Sequence, residues 1–195
     1  ILVARSRDLL EQAGRNMKKD RGRTPTIITC DVSKEDDVAG MADAIRSRWD
    51  HIDALVNNAG VGIYRTVEEM TGTEMAKQFE VNMYGPFYCI KALLPLLKKS
   101  DSGYILNIGS LFGKTALADN SVYAATKFAL SGFSEGLRRE MKRHRIRVGL
   151  FLPGPMDTSF RDNRGDSALK PPKLITLNPA RVAETVERMI VQRRD

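Results

Sequence analysis

Short runs of β-branched and aliphatic residues alternate along this chain with longer amphipathic stretches, and that alternation leaves few folds open. Runs of strand length occur at Ile1–Ala4, Thr26–Thr29, Ile52–Asn57, Tyr104–Ile108 and Arg147–Leu152. Between them lie helical patterns: from about Arg7 to Lys19, from Ser33 to about Trp49, from Thr71 to about Lys98, from about Ser121 to His144, and from Asn178-Pro179 to about Val191. Strands separated by helices of this length need crossover connections, which pair strands in parallel and lay helices on both faces of the sheet. The pattern therefore predicts a single-domain α/β protein: a doubly wound parallel sheet in three α/β/α layers. Local signals agree with it. Ser33-x-x-Asp36 reads as a helix start with Ser33 as its cap, Thr71-x-x-Glu74 as a capping box, and Asn178-Pro179 as an N-cap followed by proline at the first helical position. Pro95 is expected to bend or end the long third helix.

Composition narrows the function. The 195 residues are 42% hydrophobic and 28% charged, which suits one domain with a sizeable core. No run approaches the ~18 consecutive apolar residues of a membrane helix, and the N-terminus lacks the pattern of a secretory signal. A cytoplasmic protein without membrane attachment is expected. There is no initiator Met, so the chain is expected not to be a complete gene product. The net charge of +7 raises the question of acidic partners. Its densest source, Arg138 to Arg145, ends a helix, where cations meet the negative end of the helix dipole. No aromatic residues interleave with these charges, so nucleic-acid binding is not expected. Cys30 and Cys89 sit in apolar runs without metal-ligand spacing and read as buried thiols. His51 and His144 have no partners at metal-ligand spacing and read as surface residues, so no metal site is expected.

Tyr123 and Lys127 are four residues apart on a predicted helix and share one face. A free tyrosine has a pKa of about 10; a nearby cation favours phenolate and brings the group into range for acid and base work. Ser110 follows the Tyr104–Ile108 strand at its carboxyl end, where ligands bind in open parallel sheets. A hydroxyl there can stabilise charge developing on a substrate oxygen. Asn82, inside the long third helix, is either a satisfied core amide or the holder of a water in a proton path.

Asn57-Asn58-Ala59-Gly60, Asn82, Ser110, Tyr123-x-x-x-Lys127 and Pro153-Gly154-x-x-x-Thr158 occur in an order and spacing that resembles the short-chain dehydrogenase/reductase family across essentially the whole chain. The resemblance implies a Rossmann-like fold and a reversible, NADP(H)-dependent hydride transfer between a ketone or aldehyde and an alcohol. Tyr123 would exchange the proton, Lys127 would hold the nicotinamide ribose and depress the tyrosine pKa, Ser110 would orient the substrate oxygen, and Asn82 would anchor a relay water. Asp31 and Val32 would contact the adenine ring, Asn58, with Ala59 and Gly60, would lie beside the adenine-side ribose, and Pro153, Gly154, Met156 and Thr158 would meet the nicotinamide. The family's helices bearing Asn82 and Tyr123 imply a homodimer or homotetramer.

Cofactor choice follows from charge. After the first run the sequence reads Arg5-Ser6-Arg7, with no carboxylate before Asp8. Arg5 suits a ribose 2′-phosphate, so NADP(H) is expected over NAD(H). The family's glycine-rich turn and its preceding strand have no counterpart here, and its final strand is also missing, so the chain is expected to be truncated at both ends. Loss of that first strand would leave two neighbouring strands without backbone partners. Within the enzyme class the alternatives are a 3-oxoacyl carrier-protein reductase or a broader carbonyl reductase; outside it stands a non-catalytic dinucleotide sensor or scaffold. Gly62, Leu111, Phe112, Ala118, Leu152, Gly154 and a loop over residues 159–176 are expected to wall a mostly apolar substrate pocket.

Overall fold

The computed structural model describes residues 1–156 and 176–192. Thr158 and almost all of the expected 159–176 substrate loop lie outside the described residues. Among the described residues the strands are β1 (Leu2–Ala4), β2 (Ile27–Thr29), β3 (Ala54–Asn57), β4 (Tyr104–Ile108) and β5 (Arg147–Phe151). The helices are α1 (Arg7–Arg21), α2 (Glu35–Arg46), α3 (Gly72–Phe79), α4 (Gly85–Leu97), α5 (Ser121–Met141) and α6 (Pro179–Gln192). All strand pairs are parallel.

The strands do not form one sheet. β1 pairs only with β2, and β3, β4 and β5 form a second sheet in that order. Among the described residues no strand lies between β1 and β3 to join them by a ladder, and a cleft of about 570 Å³ separates them. Residues of β1 and β3 line it, together with Val81, Gly85 and Cys89 from the region opening α4.

Each half has its own packing. Against the β3–β4–β5 sheet, Ile105 and Val148 pack with Leu97 of α4 and Leu137 and Met141 of α5. On the opposite face Tyr104, Leu106 and Ile108 meet Val186, Met189 and Ile190 of α6. Five successive β4 residues are thus buried on both sides of the sheet, as expected for a central parallel strand. A third cluster joins Val38, Met41 and Ile45 of α2 to Cys89, Leu93 and Leu96 of α4, with Ile28 of β2 and Leu55 of β3 packed against it. Burial raises both thiols, Cys30 to about 11 and Cys89 to about 12, so they are inert packing groups. His51 is exposed, as expected, while His144 is partly buried.

The helix ends show where local signals held and where they yielded. Ser6 accepts from Leu9 N–H to start α1. The Thr71–Glu74 capping box forms in both directions, and Asn178 accepts from Ala180 N–H at α6. Ser33, by contrast, does not cap α2. Its N–H and hydroxyl both donate to the Asp31 carboxylate, and the helix starts at Glu35. A short side-chain bond to a neighbouring carboxylate outcompeted the helix terminus. The long third helix is broken by a π turn at Glu80–Tyr84 into α3 and α4. Pro95 neither ends nor replaces α4, which continues to Leu97. The fourth predicted helix stops at Met141, after which a tight 3₁₀ turn leads to Arg145 in the left-handed region.

Candidate active site

β4 and α5 place the chemistry. Helix α5 turns Tyr123, Thr126, Lys127, Leu130 and Ser134 inward, and all five are buried. Tyr123 and Lys127 are only 5% and 4% exposed. The Lys127 ammonium lies 5.8 Å from the centre of the Tyr123 ring and donates to the Ile108 carbonyl at 3.3 Å, at the carboxyl end of β4. Burial lowers the Lys127 pKa to about 8, so the amine stays largely protonated at neutral pH while titrating close to it.

Ser110 follows β4 directly. Its backbone is extended, and its oxygen accepts from Phe112 N–H at 3.2 Å, which leaves the hydroxyl hydrogen for another acceptor. The 3₁₀ turn after it, Leu111–Gly113, sits directly on α5. A Cβ at Gly113 would fall 2.7 Å from Ser131 Oγ and 3.0 Å from the Lys127 carbonyl, so only glycine permits this approach. Leu111 N–H donates to the Pro153 carbonyl at 3.0 Å, which ties the Ser110 turn to the loop after β5. Gly154 lies on that loop, facing Leu111 and Leu177, and Met156 bridges to Leu177.

The Asn82 amide is committed. Both of its hydrogens are used, one to the Val61 carbonyl at 2.8 Å and one to Thr126 Oγ1 at 3.0 Å, and its oxygen accepts from Val61 N–H at 2.8 Å. Thr126 passes the connection on to the Tyr123 carbonyl at 2.7 Å. The expectation that Asn82 anchors a water is therefore not met by its side-chain hydrogens, which hold the loop after β3 against α5.

Beneath these groups runs a buried polar chain. Asn57 Nδ2 donates to Asn107 Oδ1 at 2.8 Å, Asn107 Nδ2 donates to Ser134 Oγ at 2.9 Å, and Ser134 donates to the Leu130 carbonyl at 2.7 Å. It locks β3, β4 and α5 together about two turns along α5 from Lys127.

The residues expected to hold the adenine end of a dinucleotide are brought together elsewhere. Arg5, Asp31, Val32, Asn58, Ala59 and Gly60 all line the cleft between the two sheets. Partial burial works against charge on Asp31, but the Ser33 hydroxyl and N–H, with Arg5 and Lys34 nearby, hold its carboxyl below the ordinary value. Gly85 was not anticipated. A Cβ there would meet Val32 Cγ2 at 2.9 Å, so its bareness lets α4 approach Val32, and only the tertiary contact reveals this. Of the expected substrate wall, Leu111 is half-exposed and Ala118 is exposed, Phe112 and Leu152 are partly buried, and Gly62 is buried and presents no surface.

The family model described as short chain dehydrogenase matches residues 1–168. Over 139 residues the chain is 36% identical to retinol dehydrogenase 8 of Bos taurus, covering 71% of this chain and 44% of that protein. It is also 36% identical over 143 residues to a 3-ketodihydrosphingosine reductase of Bacteroides thetaiotaomicron, covering 73% and 53% respectively. The chain thus spans about half the length of these relatives. Among solved structures, an alcohol dehydrogenase of the archaeon Thermococcus sibiricus complexed with 5-hydroxy-NADP superposes with a TM-score of 0.87 at 28% identity, over 97% of this chain and 78% of that one.

Proposed function

The chain belongs to the short-chain dehydrogenase/reductase family, and on that footing we propose that it carries the Ser110–Tyr123–Lys127 site of an NADP(H)-dependent oxidoreductase acting between an apolar ketone or aldehyde and its alcohol. The observation that carries this reading is the buried Lys127 ammonium beside the Tyr123 ring, with the Ile108 main-chain carbonyl as its hydrogen-bond acceptor among the described residues. An ammonium has three donors, so two are left for the hydroxyls of a bound ribose.

The residues fit such a cofactor. Asp31 already spends its carboxylate on Ser33, which leaves Arg5 and Lys34 as the cations at that end of the cleft and favours the 2′-phosphorylated form. Lys127 would hold the nicotinamide end, with the Pro153–Met156 segment close to Ser110 through the Leu111–Pro153 bond. When bound, the cofactor supplies or accepts the hydride. In reduction Tyr123 gives its phenolic proton to the substrate oxygen, and in oxidation it takes that proton back. The Lys127 charge favours phenolate and so eases the transfer in both directions. The Ser110 hydroxyl donates to the same substrate oxygen and stabilises its negative charge. The main-chain carbonyl of Asn82, whose side-chain amide is committed to Val61 and Thr126, would hold a relay water. An apolar substrate is supported by the half-exposed Leu111 and Leu177 beside this site, and by relatives named for retinol and 3-ketodihydrosphingosine. The exposed Tyr84, Phe87 and Phe128 on the Asn82- and Tyr123-bearing helices support a homo-oligomer.

NADPH consumption across a panel of long-chain ketones and retinal-like aldehydes tests the reading. Tyr123→Phe should lower turnover at least ~100-fold with NADPH binding retained. Wild-type turnover in that variant would overturn the mechanism, and NADPH binding without turnover on any carbonyl would favour a dinucleotide sensor.

A further inference from the structure

Three side chains of the α3–π segment meet the loop after β3 in strict order. Asn82 bonds both main-chain groups of Val61, Gln78 Oε1 accepts from Ile63 N–H at 3.0 Å, and Glu74 Oε1 accepts from Arg65 Nε at 3.2 Å. The helix residues are spaced by four and the loop residues by two, running in opposite directions. Four helical residues rise about 6 Å and two extended residues about 6.6 Å, so the rungs stay in step along the segment. Gln78 and Asn82 are both completely buried. An amide at 78 without its Ile63 partner would be left in a site with no water to replace it.

The loop residue of opposite parity is Tyr64, which faces away from the ladder, as alternation along an extended chain requires. It is 5% exposed, and its ring lies 5.3 Å from the Tyr123 ring at 46°. On another side Phe112 meets Tyr123 edge-on at 6.1 Å. The proposed proton donor is thus held by two aromatic rings, one of them carried by the ladder.

We propose that Tyr64 is a positioning residue for Tyr123, and that Gln78, with Glu74, acts on the reaction through Tyr64 by holding the Val61–Arg65 loop in register. Tyr64 fixes the ring of Tyr123 and keeps water from that face, so the effect of Lys127 on the phenol is not screened. This rests on the reading of Tyr123 as the proton carrier.

The test is alcohol oxidation, followed as kcat against pH for Tyr64→Ala, Tyr64→Phe, Gln78→Met and the double variant Gln78→Met/Tyr64→Ala. Lys127 and Tyr64 are the titratable groups shown in contact with the Tyr123 ring, and Tyr64→Phe separates the ring of Tyr64 from its own ionisation. Tyr64→Ala should lower kcat about tenfold, leave KM for NADP within twofold, and move the midpoint of the pH profile upward, toward that of free tyrosine. Tyr64→Phe should restore both. Gln78→Met should reproduce part of the loss, and the double variant should be no worse than Tyr64→Ala alone, since residues acting through one contact are not additive. Should Tyr64→Ala fail to fold, Tyr64→Leu, which keeps bulk without the ring, carries the same expectation. A wild-type pH profile and kcat in Tyr64→Ala or Tyr64→Leu, or additive losses in the double variant, would overturn the proposal. If Tyr123→Phe is inactive while those variants are normal, only this inference fails; if Tyr123→Phe is active, the underlying reading fails with it.

Discussion

In the β3–β4–β5 sheet every residue of β4 is buried, whereas β1 and β2 contain no buried residue between them. The helices differ in the same way. Helix α5 buries eight residues, while α1 buries only Leu10 and Gly14 and leaves Leu9 65% exposed. The tightly packed half carries Ser110, Tyr123 and Lys127; the open half carries Arg5 and Asp31. The proposed proton transfer would need groups held to fractions of an ångström, and the buried Asn57–Asn107–Ser134 chain ties β3, β4 and α5 together. The proposed recognition of a phosphate by the exposed Arg5 guanidinium would tolerate more motion, because the charge acts at longer range than a shared proton.

The sharpest way to break this contrast is Lys127→Met. A buried ammonium with its pKa drawn down to about 8 costs the native state about 3 kcal/mol at neutral pH. The Met variant should therefore lose ~100-fold in turnover and yet melt several degrees higher, as expected where function is held against stability. The pH dependence gives the sign. Between about pH 8 and 10.5 the unfolded chain keeps the lysine proton and the native chain has released it, so wild-type stability gains on the variant as pH rises through that window. Thermal melts of both proteins at pH 7 and pH 10 check this. An equal gap at the two pH values would show that burial does not perturb Lys127.

Next in size is Asn107→Leu, which strips Asn57 and Ser134 of their shared partner. It should cost about 2–3 kcal/mol of unfolding free energy in urea melts, from a single residue of the packed half. A smaller effect is expected from the open half. Arg5→Ala should raise KM for NADPH roughly 10-fold with kcat unchanged, while altering stability by under about 0.5 kcal/mol. Steady-state kinetics with NADPH and NADH side by side measure it. If Arg5→Ala destabilises as much as Asn107→Leu, the two halves are not as different as their burial implies.

Much of this was legible in the residues. The strand Tyr104–Ile108, the Thr71–Glu74 capping box and the Asn178-Pro179 start depend on local periodicity and on side chains bonding within four residues, and these formed as expected. Ser33 failed because Asp31 offered it a nearer carboxylate than the helix offered N–H groups. The break at Glu80–Tyr84 was illegible, because an apolar helical pattern runs through it, and the π turn is visible only where Asn82 reaches Val61 and Thr126. Gln78 and Tyr64 carried no signal either, and Glu74 signalled only its capping box. Their spacing of four against two has meaning only once helix and loop are known to face each other.

The order of strands and helices, and the four-residue step that puts Tyr123 and Lys127 on one face, were determined by the sequence alone, because periodicity and backbone geometry act over a few residues. Tertiary structure decided which groups lost their water: the burial that lowers the Lys127 pKa, and the glycines that let α4 and α5 approach their neighbours. Desolvation and close approach depend on residues far apart in the chain, and no local pattern encodes that distance.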